Sequence, residues 1–299
     1  MRIALLGAAF SAGGAHPGCR HAPEVFHARG FRAWRCRLAR QHRRLSVFWA
    51  GVVHEHSALP QPMYRPHARR ELLRNNRRLM HRTLRLRRGG VLPVVIGGDH
   101  SCAIGTWSGI AAARQRPLGL LWIDAHLDAH TPESSASKRL HGMPLAVLLG
   151  EGDAPLARIG GSPPVIDPRY CAVIGVRSYE SEEPLRLARL GVQFHTIADI
   201  ERRGLPSVLQ DAWERVSVAP GGFGVTLDLD VLNPLLAPGV SVPAPGGLSP
   251  RKLAALLARQ RHKYRLRGLE IVELNPRRDP GGQTLHLLPM LLSALLARR

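Results

Sequence analysis

Eight short apolar runs, set apart by longer stretches with helical spacing, constrain the fold of this chain more than any other feature. The runs are RIALLG (2–7), SVFWAGVV (46–53), VLPVVIG (91–97), LGLLWID (118–124), CAVIGV (171–176), VQFHTI (192–197), GFGVTLDLD (222–230) and LRGLEIVEL (266–274). Most are nearly continuous in apolar residues, the pattern of strands buried on both faces. Helical spacing runs near 65–88, 101–114, 181–190, 205–217, 249–262 and 283–297. Strands alternating with helices build a parallel sheet covered on both sides. The expected architecture is α/β: a single doubly wound domain over 1–299, with a mostly parallel, roughly eight-stranded sheet flanked by helices. A hydrophobic content of 44% is enough for a large core, and no repeat, linker or low-complexity tract divides the chain. The longest irregular stretches are 129–142, 151–169 and 231–248, and long loops in compact folds commonly carry function.

Ionisable residues gather at one end of these strands. Asp99 and His100 follow VVIGG, Asp124, His126 and Asp128 follow GLLWI, Asp228 and Asp230 close GFGVTL, and Glu273 closes GLEIV. An Asp after one strand is ordinarily a helix cap or turn residue. Acids or histidines at the carboxyl ends of four strands are another matter, because ligand crevices in an open parallel sheet form at that edge. Within WIDAHLDAH (122–130), Asp124, His126, Asp128 and His130 occupy alternate positions, which in an extended segment aims all four at one volume. Carboxylates crowded this closely repel unless a cation lies between them. Two imidazoles, four carboxylates and no thiolate suit a hard or borderline divalent metal, and the carboxylates are too many for one tetrahedral zinc. Two bridged ions fit better, since paired metals share carboxylates and activate water near neutral pH. On spacing alone His130 stands equal with the other donors.

No apolar run approaches the roughly 20 residues that span a bilayer, and the opening MRIALLGAAFSAGG is too short in apolar residues for a targeting segment, so a soluble, cytoplasmic protein is expected. Cys19, Cys36, Cys102 and Cys171 lie far apart with no CxxC pair, which argues against a zinc ribbon or disulfide framework and for a reducing compartment. The formal charge of +20 is nearly all arginine, and it concentrates in YRPHARRELLRNNRRLMHRTLRLRR (64–88). That segment has the apolar spacing of an amphipathic helix and no recognition motif, so a solvated or subunit-contacting face is expected and a nucleic-acid partner is not.

The stretches GGDHS (97–101), DAHLDAHTPESSASKRLHGMP (124–144), LDLDVLNPLLAPGVSVPAPGGL (227–248) and EIVELNP (270–276) together resemble the ureohydrolases, and most closely the arginases. GAAFSAGG (7–14) is similar to that family's opening loop. The resemblance implies two Mn²⁺ per chain, one held by His100, Asp124, Asp128 and Asp228, the other by His126, Asp124, Asp228 and Asp230. It sets His130 apart from the metal ligands and among the substrate-binding residues. It implies hydrolysis of the guanidinium of L-arginine to L-ornithine and urea by a metal-bridging hydroxide. Asp128 would carry a proton toward the leaving amine, His141 would shuttle protons, and Glu273 would pair with the guanidinium. Ser135 and Ser137 would read the α-carboxylate, and Glu180 and Glu183 the α-amino group. A homo-oligomer, trimer or hexamer, is a further implication.

Several positions depart from the family pattern. His130 replaces an Asn, Lys138 and Arg139 stand where small or neutral residues are usual, and Ser178 and Tyr179 precede Glu180. GVSVP (239–243) differs from the common Gly-Thr-Pro form and is reminiscent of some formimidoylglutamases. These loops set specificity, so agmatine, a guanidino acid or formiminoglutamate are the alternative substrates. A basic nucleic-acid-associated binding protein is the distant alternative, and it leaves the six metal ligands unexplained.

Overall fold

The structure is a computed structural model that describes residues 1–42, 45–55, 66–113 and 116–297. Eight strands form one sheet: β1 (Arg2–Ala9), β2 (Ser46–His54), β3 (Leu92–Ile96), β4 (Leu118–Ile123), β5 (Ile166–Val176), β6 (Gln193–Thr196), β7 (Phe223–Asp228) and β8 (Leu266–Val272). Every pairing is parallel and the order is β2-β1-β3-β8-β7-β4-β5-β6. All eight apolar runs therefore become strands, in a sheet more uniformly parallel than expected. Strand β5 begins earlier than its apolar run, at Ile166, so part of the stretch expected to be irregular is sheet. Its first half, IDPRY, is half-buried and polar, which hides it from a hydrophobic pattern.

The order has a functional consequence. The four strands that carry ionisable residues at their ends, β3, β8, β7 and β4, are the four consecutive central strands. Their register is level, with Ile96 opposite Ile271, Ile271 opposite Leu227 and Leu227 opposite Ile123. The next row upward already contains Asp228 and Asp124.

Helices cover both faces. On one, Trp213, Leu253, Leu257, Leu291 and Leu292 pack with Leu121, Ile123, Val225, Leu227 and Ile271 in one buried cluster. On the other, Trp107 and Ile110 of the helix Ala103–Ala112 pack against Leu120, Trp122 and Val173. The basic segment is the helix Pro66–Arg88, which packs on Ala103–Ala112. It buries Ala68, Leu72, Leu79 and Met80 and exposes Arg70, Arg74, Arg77, Arg78, Arg85 and Arg88, as an amphipathic helix should.

The sequence pattern did not predict the helical stretch through Ala22–Phe26, the π-turn His27–Phe31 and Arg32–Gln41. Its buried anchors Phe26, Phe31, Trp34 and Leu38 are spaced five, three and four residues apart. The π-turn absorbs the five-residue gap and keeps Phe26 and Phe31 on the core side. The helix Ile197–Arg203 was also not expected; Thr196 caps it in a capping box with Asp199. Among the described residues no helix is long and apolar enough to cross a membrane.

Candidate metal centre and substrate cleft

His100 leads off the short turn after β3 and is 1% exposed. Its Nδ1 lies 3.0 Å from Asp124 Oδ2, 3.0 Å from Asp128 Oδ2 and 3.2 Å from Asp228 Oδ2. Despite these distances Nδ1 makes no hydrogen bond of acceptable geometry. A buried ring nitrogen facing three carboxylate oxygens without bonding any of them is the arrangement of a cation's donor set. The ring's other nitrogen is tied down: Nε2 lies 3.1 Å from Thr226 Oγ1, which donates to Glu270 Oε2 at 2.9 Å. That chain fixes the tautomer with Nε2 protonated and Nδ1 free to ligate. Trp122 stacks on the His100 ring, with centroids 4.2 Å apart, and its indole N–H donates to Asp124 Oδ2 at 2.8 Å.

A second donor group adjoins the first. His126 Nδ1 lies 3.0 Å from Asp230 Oδ2 and 3.5 Å from Asp124 Oδ1. The donor atoms of His100, Asp124 and Asp128 converge in one group and those of Asp124, His126 and Asp230 in another, so Asp124 belongs to both. Backbone amides hold the carboxylates in place: His126 N–H donates to Asp124 Oδ1 at 2.7 Å, Asp230 N–H to Asp228 Oδ1 at 2.8 Å, and Ala125 N–H to Asp230 Oδ1 at 3.2 Å.

Without a cation the charges conflict. Burial, then the neighbouring Asp124 charge, pushes Asp128 up to about 7, and burial with like charges raises Asp228 and Asp230. Burial acts on Asp124 in the same direction, but the two imidazoles outweigh it and hold Asp124 below its ordinary value. The donors thus fit two divalent cations in number, chemistry and electrostatics.

The period-two reading of 122–130 needs correction. Strand β4 ends at Ile123, and Asp124 to His130 are not strand. The donors converge through a turn in which Asp128 has φ +49°, a left-handed conformation uncommon for a non-glycine residue and favoured at functional sites. His130 consequently lies outside the two groups that share Asp124 and gathers with Glu180 and Glu183 instead. Its Nε2 pairs with Glu180 and lies 3.3 Å from Glu183 Oε2, and its Nδ1 lies 3.1 Å from Ser134 Oγ.

These groups line a cleft of about 380 Å³. His100, His126, Asp128, Asp228 and Asp230 line it together with His141 and Glu273. Their facing atoms, His141 Nδ1 and Glu273 Oε1, are 3.6 Å apart. Burial opposes the charge on both, and each overrides it for the other: His141 is raised and Glu273 lowered from their usual values. Ser135, Ser137, His130, Glu180 and Glu183 also line it.

The Arginase family profile matches residues 1–297. The arginase of Agrobacterium fabrum is 33% identical over 302 aligned residues, covering 99% of this chain and 90% of that protein. The chain belongs to the arginase family. It is therefore an amidinohydrolase, a hydrolase of the ureohydrolase group. The Bacillus caldovelox arginase is 37% identical over 210 residues, 70% of each chain. The solved structure of the B. caldovelox enzyme superposes with a TM-score of 0.90 at 31% identity, covering 99% of this chain and 98% of that one.

Within the family frame the departures take definite positions. Lys138 turns back on its own loop, donating from Nζ to Pro132 O at 2.6 Å and Glu133 O at 3.2 Å. Arg139 instead lines the cleft and donates to Gly14 O at 2.6 Å. Asp99 stands outside the cation groups, accepting from Gly13 N–H at 3.1 Å and Ser101 N–H at 2.9 Å, and so anchors the opening loop. Sequence reasoning did not single out Thr226, Glu270, Trp122, Cys19 or Ser241. The buried polar residues Thr226 and Glu270, on strands otherwise apolar, were the one signal available.

Proposed function

We propose that this arginase-family hydrolase is a manganese enzyme that converts L-arginine to L-ornithine and urea, with residues 1–299 acting as one domain. The observation that carries the reading is the pair of donor groups sharing Asp124 beside a cleft lined by Glu273 and His141. One Mn²⁺ would be held by His100, Asp124, Asp128 and Asp228, the other by His126, Asp124, Asp228 and Asp230. When bound, the ions supply Lewis acidity that lowers the pKa of water to produce a nucleophile near neutral pH. Glu273 receives the guanidinium through charge-assisted hydrogen bonds. Asp128 hands a proton to the departing amine, and His141, at the cleft wall, exchanges protons with solvent. The hydroxyls of Ser135 and Ser137, 3.4 Å apart, offer donors to the α-carboxylate. Glu180 and Glu183, bracketing His130, offer acceptors to the α-ammonium. The named activity of the A. fabrum and B. caldovelox relatives supports the substrate. A cytoplasmic homo-oligomer, trimer or hexamer, without nucleic-acid or membrane partners, completes the reading.

A second reading rests on Arg139. Arg139 lines the cleft, and a guanidinium there suits a substrate whose carboxylate stands at a different distance from the reacting carbon than that of arginine, such as a guanidino acid or formiminoglutamate. Steady-state kinetics on L-arginine, agmatine and guanidino acids separate the two. A hydrogen bond to a charged group contributes about 1.5–3 kcal/mol, so Ser137→Ala should lower kcat/KM for arginine about ten- to a hundredfold. Agmatine, which has no carboxylate, should be nearly unaffected. Equal turnover of arginine and agmatine, or preference for a guanidino acid, would replace arginine as the substrate.

A further inference from the structure

Glu273 sits immediately after β8 with φ +64°, a left-handed conformation that a glutamate adopts only when its surroundings demand it. Both of its carboxylate oxygens are already engaged. Oε1 accepts the His100 backbone N–H at 3.0 Å, and Oε2 accepts the thiol of Cys19 at 3.2 Å. Cys19 comes from the far end of the sequence, in the segment after β1, and is fully buried.

Behind the thiol stands a short chain of donors. Cys19 Sγ lies 2.8 Å from Ser241 Oγ, and Asn275 Nδ2 donates to Ser241 Oγ at 3.1 Å. Asn275 Oδ1 accepts the Arg277 N–H at 3.1 Å, which fixes the amide so that its NH₂ faces Ser241. The direction of the whole chain follows from its two ends. The Asn275 NH₂ can only donate and an ionised Glu273 can only accept, so the single hydrogens of Ser241 and Cys19 must both point toward Glu273. Gly18 permits the approach, since a Cβ there would lie 1.9 Å from Asn275 Oδ1. Val242, on the same loop and lining the cleft, has no side-chain donor.

We infer that Cys19 is a positioning residue: the chain Asn275, Ser241, Cys19 holds Glu273 Oε2 so that the carboxylate presents its remaining lone pairs to the guanidinium in the cleft. This accounts for the serine in GVSVP, the segment that departs from the family form. It rests on the reading of Glu273 as the guanidinium anchor. Burial and the nearby carboxylate push the Cys19 thiol well above its ordinary range, so it remains a protonated donor.

The test compares Cys19→Ala, Cys19→Val and Cys19→Ser in the metal-loaded protein. Ala and Val remove the donor with opposite changes in volume, and both should raise KM for the guanidine about tenfold while kcat stays within about threefold, the mark of lost binding common to ground and transition states. Ser keeps one donor at the same place and should restore KM to within about threefold of wild type. An unchanged KM in both Ala and Val, or no recovery in Ser, overturns the inference. The positioning is also read without turnover: a crystal structure of Cys19→Ala should show the Glu273 carboxylate rotated from its present contacts, and Cys19→Ser should retain them. An unmoved carboxylate in Cys19→Ala overturns the inference whatever the activity. A wild-type protein that releases no urea from any guanidine overturns the functional reading instead, and the crystallographic comparison still decides the role of Cys19.

Discussion

Replacing Thr226 by valine removes one hydroxyl from the middle of β7 and leaves the shape of the side chain nearly unchanged. Thr226 is fully buried, and its Oγ1 both meets His100 Nε2 at 3.1 Å and donates to Glu270 Oε2 at 2.9 Å. Valine is as well suited to a central strand, so no cavity opens and no propensity is lost. Glu270 Oε2 keeps its bond from Trp107 Nε1 at 3.1 Å, so the group orphaned by the change is the imidazole Nε2–H. A buried donor left without an acceptor costs about 1–3 kcal/mol. With its tautomer no longer fixed, His100 can place its proton on Nδ1, the atom that faces Asp124, Asp128 and Asp228. Loss of such an outer partner weakens metal binding about 10–100-fold, which is roughly 1.4–2.7 kcal/mol and agrees with the cost of the orphaned donor. The effect should be one-sided, because His100 belongs to one donor group and His126 to the other. Titrating metal-free protein with Mn²⁺ and following the resonance of the free aqueous ion should show two ions bound tightly by wild type, and one tight plus one weakened ion in Thr226→Val. Equal weakening of both ions, or of neither, would refute the account of how His100 is oriented.

Asp124 touches both imidazoles, so Asp124→Ala should lose both ions; Asp228→Ala should weaken both as well, and elemental analysis finding two retained manganese ions in either variant would contradict the shared-ligand arrangement. Glu55 accepts Ser11 N–H and Ala12 N–H at 2.9 Å each, and burial pushes it up to about 7 from 4.5. Its folded-state pKa is raised, so its contribution is fully present below about pH 4.5 and is lost as pH rises toward 7, by about 3 kcal/mol in all. The difference between wild-type and Glu55→Gln urea melts should therefore shift across that window, and a pH-independent difference would exclude the effect. A Cβ on Gly98 would lie 1.8 Å from Phe10 O, so Gly98→Ala should destabilise the fold by roughly 3 kcal/mol and lower Tm by about 5 °C; an unchanged calorimetric Tm would mean the strand end yields easily. Nucleic-acid binding by the basic helix should fall away steeply with salt, and tight sequence-selective binding at physiological ionic strength in a filter or anisotropy assay would contradict its reading as a solvated face.

The strands and the gathering of acids and histidines at their ends were legible in the sequence because both depend on local pattern: an apolar run, then an acid or histidine at its end. What joins them was not. That β8 and β7 lie between β3 and β4 is a property of the sheet order, and no local pattern carries it. The spacing of Asp124, His126 and Asp128 announced convergence but for an incomplete reason, since a turn with Asp128 at φ +49° brings them together and carries His130 away to the glutamates. The helices over Ala22–Gln41 were obscured by a π-turn that breaks the 3.6-residue rhythm and by the arginines among their anchors. Cys19 and Ser241, 222 residues apart, carry no sign in the sequence that they meet beside Glu273.

The central claim is that the two donor groups and the cleft beside them form a manganese-dependent site for the hydrolysis of arginine. It is tested most directly by stripping the protein with a chelator, restoring Mn²⁺ in steps, and measuring urea and ornithine released from L-arginine at each step against agmatine and guanidino acids. The account predicts no urea from the stripped protein, recovery that saturates at two ions per chain, and one urea for each ornithine, with arginine the preferred substrate. Urea release that persists without metal, or full metal loading with no hydrolysis of any guanidine, would contradict it.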